Sequence, residues 1–123
     1  MIIGQVNART EAIIPVTIKY SARQTRILDA VIDTGFSGYL SLPIASIAAL
    51  QLMFSEARVF SLGDNTQVNF DLYEATLMWD GQERDVLVLA SDAHPLVGMS
   101  LLKGFLITID AIDGGEVRIE PRP

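Results

Sequence analysis

The tripeptide Asp33-Thr34-Gly35 occurs once and closes an apolar stretch, Ile27-Leu28-Asp29-Ala30-Val31-Ile32. Hydrolysing an amide without a metal or a covalent nucleophile needs a base to activate water and an acid to protonate the departing nitrogen. Two carboxylates a few ångströms apart supply both, because mutual repulsion keeps them from ionising together and they share one proton. The titration steps then belong to the pair. One such aspartate in a chain of 123 residues points to two copies of the chain sharing one site. In a symmetric dimer the two carboxylates are chemically identical until a proton or a substrate chooses a side.

The composition narrows the alternatives. The length fits one domain, residues 1–123, able to bury a continuous core without disulfide or metal. With no cysteine there is no disulfide and no thiolate metal site, and with one histidine, His94, a Ser-His triad or a histidine metal site would have to be built around that residue alone. No cofactor or metal is expected. The net charge of −6 argues against nucleic acid, whose phosphates demand Lys and Arg, and serves solubility. The apolar runs are short and broken by Arg, Asp, Gly and Pro, so no membrane span is expected. The N-terminus lacks a basic segment followed by an apolar one, so no signal peptide is read and a cytoplasmic location is expected.

The elements that must position Asp33 are mostly strands, since apolar residues recur with period two. Ile14, Val16, Ile18 and Tyr20 share a face of a first long strand. Ser21 to Thr25 reads as a turn. Arg26 to Asp33 is the next strand, apolar on both faces and therefore expected to be covered on both. Pro43 opens the one convincing helix, with Ile44, Ile47, Ala48 and Leu50 at helical spacing as core cover. Val59 to Phe70 reads as a hairpin with its tip at Gly63-Asp64-Asn65. Tyr73, Ala75, Leu77 and Trp79 alternate in a further strand, turned at Asp80-Gly81 into Arg84 to Ala90. Leu96-Val97-Gly98 precedes a short helical turn, with Ser100 as its cap and Gly104 as its stop. Phe105 to Ile109 and Glu116 to Glu120 are strands joined at Asp113-Gly114-Gly115, with Val117 and Ile119 inward. The sum is an all-β domain with one short helix, read as a closed or partly closed barrel. No repeat is found, so a second Asp-Thr/Ser-Gly on a second lobe is absent from this chain.

In their order, these motifs resemble the retropepsin-like aspartic proteases, the single-domain branch that includes the retroviral enzymes. The resemblance spans roughly residues 10 to 120. It rests on the apolar strand into Asp33-Thr34-Gly35, the hairpin at Gly63-Asp64-Asn65 where that family has its flap, the strand pair turned at Asp80-Gly81, and Leu96-Val97-Gly98 before a helical turn. Asp33-Thr34-Gly35-Phe36-Ser37-Gly38 is most similar to small bacterial and archaeal members. The resemblance implies a retropepsin-like closed barrel and an aspartic endopeptidase acting as a homodimer on an extended peptide or protein. It implies that Asp33 and its symmetry mate are the catalytic pair, that Thr34 bonds across the two-fold axis, and that Gly35 lets the backbone turn beneath the carboxylate. Leu96-Val97-Gly98 packs behind that loop, and the flap tip, Gly63, Asp64, Asn65 and Thr66, closes over the substrate. Two positions depart from the retroviral pattern. Phe36 stands where those members carry a small residue, and the flap holds a single glycine, Gly63.

Blander roles fit the other polar residues. Asp29 shares strand parity with Asp33 but lies too far along an extended strand to pair with it. Asp110 and Asp113 read as turn or salt-bridge residues, His94 as solvated, Tyr73 and Trp79 as core or hairpin-face residues, and Arg84 and Asp85 as an exposed face. Two alternatives stay open. One is a dimerising or peptide-binding module of the same fold with weak or lost hydrolysis. The other is a pair of protomers that associate only on substrate or at high concentration.

Overall fold

The period-two pattern becomes strands, as physical expectation has it, because alternate side chains point to opposite sheet faces and one face can be buried. The computed structural model describes residues 1–61 and 64–123. In chain order the elements are β1 (Ile2–Val6), β2 (Ala12–Lys19), β3 (Thr25–Ile32), β4 (Leu40–Pro43), α1 (Ile44–Ala49), β5 (Met53–Ser61), β6 (Gln67–Trp79), β7 (Gln82–Ser91), β8 (Leu96–Val97), α2 (Met99–Leu102), β9 (Phe105–Ile109) and β10 (Glu116–Pro121). The protein is mostly β, with few helices.

The strands form one sheet in the order β5-β6-β7-β4-β8-β3-β2-β1-β10-β9, and β6 pairs additionally with β2. Ile14, Val16 and Ile18 on β2 are buried, as are Leu77 and Trp79 on β6 and Val117 and Ile119 on β10. These inward rows meet Leu40, Leu42 and Leu101 in a single core. Burying a side chain of this size is worth about 1.5–3 kcal/mol, which is why strict alternation pins the register of these strands. The β6–β7 connection is Asp80-Gly81. Both residues have positive φ, 51° and 81°, the twist a two-residue hairpin turn needs.

Several expectations change. A strand the sequence pattern did not reveal, β1, pairs with β10 and β2. Its Gly4 is needed for close approach, since a Cβ there would stand 1.9 Å from the Ile13 carbonyl oxygen. Tyr20 lies just past β2 and is exposed. The β3 strand is bonded on both edges, to β2 and β8, but its faces are covered unequally, and on the outer one only Val31 is half-buried. Ala30 is buried while Ile27, on the other face, is 64% exposed. The expected hairpin strand and its neighbour are one continuous β6 of thirteen residues. The helical turn at α2 is a second short helix, and Gly98, not Ser100, occupies its N-cap position without a side-chain cap bond. In α1, Ile47 and the following Leu50 are buried while Ile44 and Ala48 are exposed, because six residues present only a narrow stripe to the core. No helix is long and apolar enough to cross a membrane among the described residues.

Candidate active site

Asp33 sits where β3 ends, and β8 holds it there. The short β8 runs parallel to β3, Val31 opposite Leu96 and Ile32 opposite Val97. On its other edge it runs antiparallel to β4, Leu40 opposite Val97. It therefore fills the gap between the two strands that enter and leave the loop 33–39. The Val31 amide donates to Pro95 O at 2.9 Å, and the Asp33 amide donates to Val97 O at 2.9 Å. With its backbone anchored by the sheet, Asp33 turns sharply. Phe36 N donates to Asp33 O at 3.1 Å, and Gly35 N donates to the Asp33 carboxylate Oδ1 at 3.0 Å. Asp33 is half-buried, and Thr34 and Gly35 are exposed at the loop surface.

A second layer fixes the rest of the loop. Gly98 N donates to Tyr39 O at 3.0 Å, Met99 N to Phe36 O at 2.8 Å and Ser100 N to Gly38 O at 3.1 Å. The Ser100 hydroxyl donates to Ser37 O. The start of α2 thus satisfies the loop's carbonyls one after another, and the first N–H groups of a helix have no partner of their own to compete. This needs close approach. A Cβ on Gly98 would stand 2.2 Å from Gly38 O and 2.7 Å from Phe36 Cδ2, and one on Gly38 would stand 2.6 Å from the Phe36 ring. Phe36 is therefore a half-buried wedge for which Gly38 and Gly98 make room.

The hairpin of β5 and β6 is long. Ala57 to Ser61 pair with Gln67 to Asp71, beyond Leu72, where the pairing of β6 with β7 begins. This end is a two-stranded arm held by its own ladder and by the edge-to-face contact of Phe60 and Phe70, 5.4 Å between centroids. At the tip, Thr66 N donates to Asp64 Oδ1 at 3.0 Å, and Asn65 has a φ of 67°. The Thr66 hydroxyl and then its amide hold the Asp64 carboxyl below its ordinary value. Asp64, Asn65 and Thr66 are exposed; Gly63, the fourth tip residue expected from the sequence, lies outside the described residues.

The structure thus joins Asp33 to Gly35 and sets Asp33 against Val97, and Phe36, Gly38 and Tyr39 against Gly98. Among the described residues no hydrogen bond links the tip to this loop. Asp33 lines neither of two open grooves of the single chain. One, of about 850 Å³, includes Ile3, Ile13, Pro15 and Asp29; the other, of about 730 Å³, includes Tyr20, Tyr39, Leu52 and Glu74. His94 and Asp29 are exposed. Among the described residues no group of three or more acidic or histidine side chains is placed to hold a metal. Arg84, expected on an exposed face, is half-buried. It donates to Leu101 O at 3.1 Å and Ser100 O at 3.3 Å and lies 5.4 Å from the Tyr39 ring centroid. Neither the Arg84 hydrogen bonds nor the Ser100 bond has a sequence signal, because their acceptors are backbone carbonyls. No family model matches the chain, and no curated protein matches it in sequence.

Proposed function

We propose that the chain is an aspartic endopeptidase of retropepsin-like fold, active as a homodimer in which two Asp33 carboxylates share one water. The observation that carries this is the threading of β8 between β3 and β4, with the Asp33 amide bonded to Val97 and its carboxylate bonded to Gly35. Nothing in sheet building requires an aspartate so anchored and yet left accessible. The pairings β2–β3–β8–β4–β7–β6 return to β2, which supports a closed barrel. The exposed Thr34 is free to meet its symmetry mate. The outer strand β9 is bonded on one side only and carries no charge, and such an edge invites association.

In the dimer, the ionised member of the pair takes a proton from water as its oxygen attacks the peptide carbonyl. The protonated member hydrogen-bonds the carbonyl oxygen as charge builds on it. A proton then passes to the nitrogen, the C–N bond breaks, and the shared proton is restored. Each transfer contributes about 10²–10⁴-fold. The arm of β5 and β6 covers an extended peptide and excludes water. Asp33→Asn is expected to leave dimer and fold intact and to abolish hydrolysis of a random peptide library. Cleavage by the variant equal to that of the parent would sink the mechanism. Peptide binding without cleavage by the parent would favour a peptide-binding module of the same fold.

A further inference from the structure

Arg84 lies on β7, opposite Leu77 in the β6–β7 ladder, far in sequence from the Asp33 loop. Its guanidinium nevertheless reaches both elements that hold that loop. Two of its nitrogens donate to the carbonyls of Leu101 and Ser100, and its Cζ lies over the ring of Tyr39, 5.4 Å from the centroid. The α2 helix has only four residues, and its last carbonyls have no partner within the helix. Its amides are already committed, Met99 and Ser100 to the loop and Leu101 and Leu102 to Gly98 O. Tyr39 is where the loop rejoins β4, and its carbonyl accepts the Gly98 amide. Among the described residues Arg84 has no carboxylate partner, so its charge is directed at these carbonyls and this ring. The neighbouring Asp85 accepts instead from the Thr76 hydroxyl.

We infer that Arg84 is a positioning residue for Asp33, clamping α2 and the end of the 33–39 loop to the β6–β7 hairpin so that the carboxylate is held in register for its partner. The inference rests on the proposed hydrolase, but the clamp is physically separate from the chemistry. A planar fork with several fixed donors suits two carbonyls and an aromatic face together; a lysine ammonium is a single point charge on a flexible stem. Without the fork, α2 loses its hold at one end, and the Met99 and Ser100 amide bonds to the loop open more often. Small displacements at a reacting centre cost about 10²-fold in rate.

The test compares wild type, Arg84→Gln and Arg84→Lys as full-length protein, with active sites titrated by a statine-type inhibitor. A displaced carboxylate lowers kcat and kcat/KM together and leaves KM little changed. Arg84→Gln is expected to lose about 10–100-fold in kcat per titrated site. Arg84→Lys, which retains one donor toward one carbonyl, is expected to recover part of that loss and keeps the test open should Arg84→Gln fail to fold. In parallel, amide hydrogen exchange at Met99 and Ser100 is expected to accelerate in both variants, while exchange in the β1–β10 ladder stays unchanged. An unchanged kcat per titrated site in an active protein would overturn the inference. So would unchanged exchange at Met99 and Ser100. A wild type without hydrolysis would defeat the hydrolase proposal, and the exchange rates would then decide the clamp on their own.

Discussion

Replacing Gly98 by alanine tests the site's construction most sharply. The φ and ψ of Gly98, −101° and 174°, are open to any residue, so space and not conformation demands glycine here. The new Cβ would stand 2.2 Å from Gly38 O and 2.8 Å from Phe36 O. Carbon–oxygen contacts settle at about 3.3–3.6 Å, so the two segments must part by roughly 1 Å. Both obstacles are backbone, and no rotamer change relieves them. The displacement stretches the Gly98–Tyr39, Met99–Phe36 and Ser100–Gly38 hydrogen bonds, worth about 1 kcal/mol each and about 3 kcal/mol together. Urea unfolding is expected to show that loss, with peptide hydrolysis falling about 10²-fold because Asp33 shares the displaced segment. Phe36→Ala is not expected to rescue the variant, since the Gly38 carbonyl remains in place. Gly81→Ala is the control: Gly81 has a φ of 81° with nothing near its missing Cβ, so the cost is backbone strain alone, about 1–2 kcal/mol, with hydrolysis kept. A Gly98→Ala protein as stable and as active as its parent would refute the close approach of β8 to the loop.

Other expectations follow from single contacts. Ser100→Ala removes the hydroxyl bond to Ser37 O and is expected to cost about 1 kcal/mol in unfolding and to lower hydrolysis. Ile14→Ala, in the core, is expected to cost about 2–5 kcal/mol. Ile27→Ala, on the bare face of β3, is expected to stay within about 0.5 kcal/mol when the two are compared by urea unfolding. Thr66→Val is expected to raise the Asp64 pKa toward its ordinary 3.8, read by NMR titration. The sign follows from linkage. Folding lowers this pKa, so the Thr66 contribution is fully present above 3.8 and fades as pH falls through the folded value.

The parts of the fold that could be read in sequence are those where one physical rule dominates. Ile14, Val16 and Ile18, or Val117 and Ile119, alternate because a half-buried strand has period two. Asp80-Gly81 marks its turn because both positions need positive φ. What escaped depends on partners distant in sequence. Ile27 and Leu28 are equally apolar, and only the packing of the sheet decides that Leu28 faces the core and Ile27 solvent. Gly4 breaks the alternation of β1 for the sake of a neighbouring carbonyl. By local rule Ser100 reads as a helix cap, yet its hydroxyl bonds Ser37, sixty-three positions away. Arg84 beside a hairpin turn reads as solvated because its acceptors are main-chain carbonyls, invisible in the letters. In the candidate site, Asp33-Thr34-Gly35 was legible as a motif. The role of Phe36 was not, because its fit depends on two glycines, one of them from beyond β8.

The proposed hydrolase has one site made by two chains. Calorimetric titration with a statine-type mimic of the tetrahedral intermediate, at a concentration where sedimentation shows dimer, measures it most directly. One inhibitor is expected to bind for every two chains, and none to Asp33→Asn. One inhibitor bound per chain, or equal binding by the Asp33→Asn variant, would contradict it.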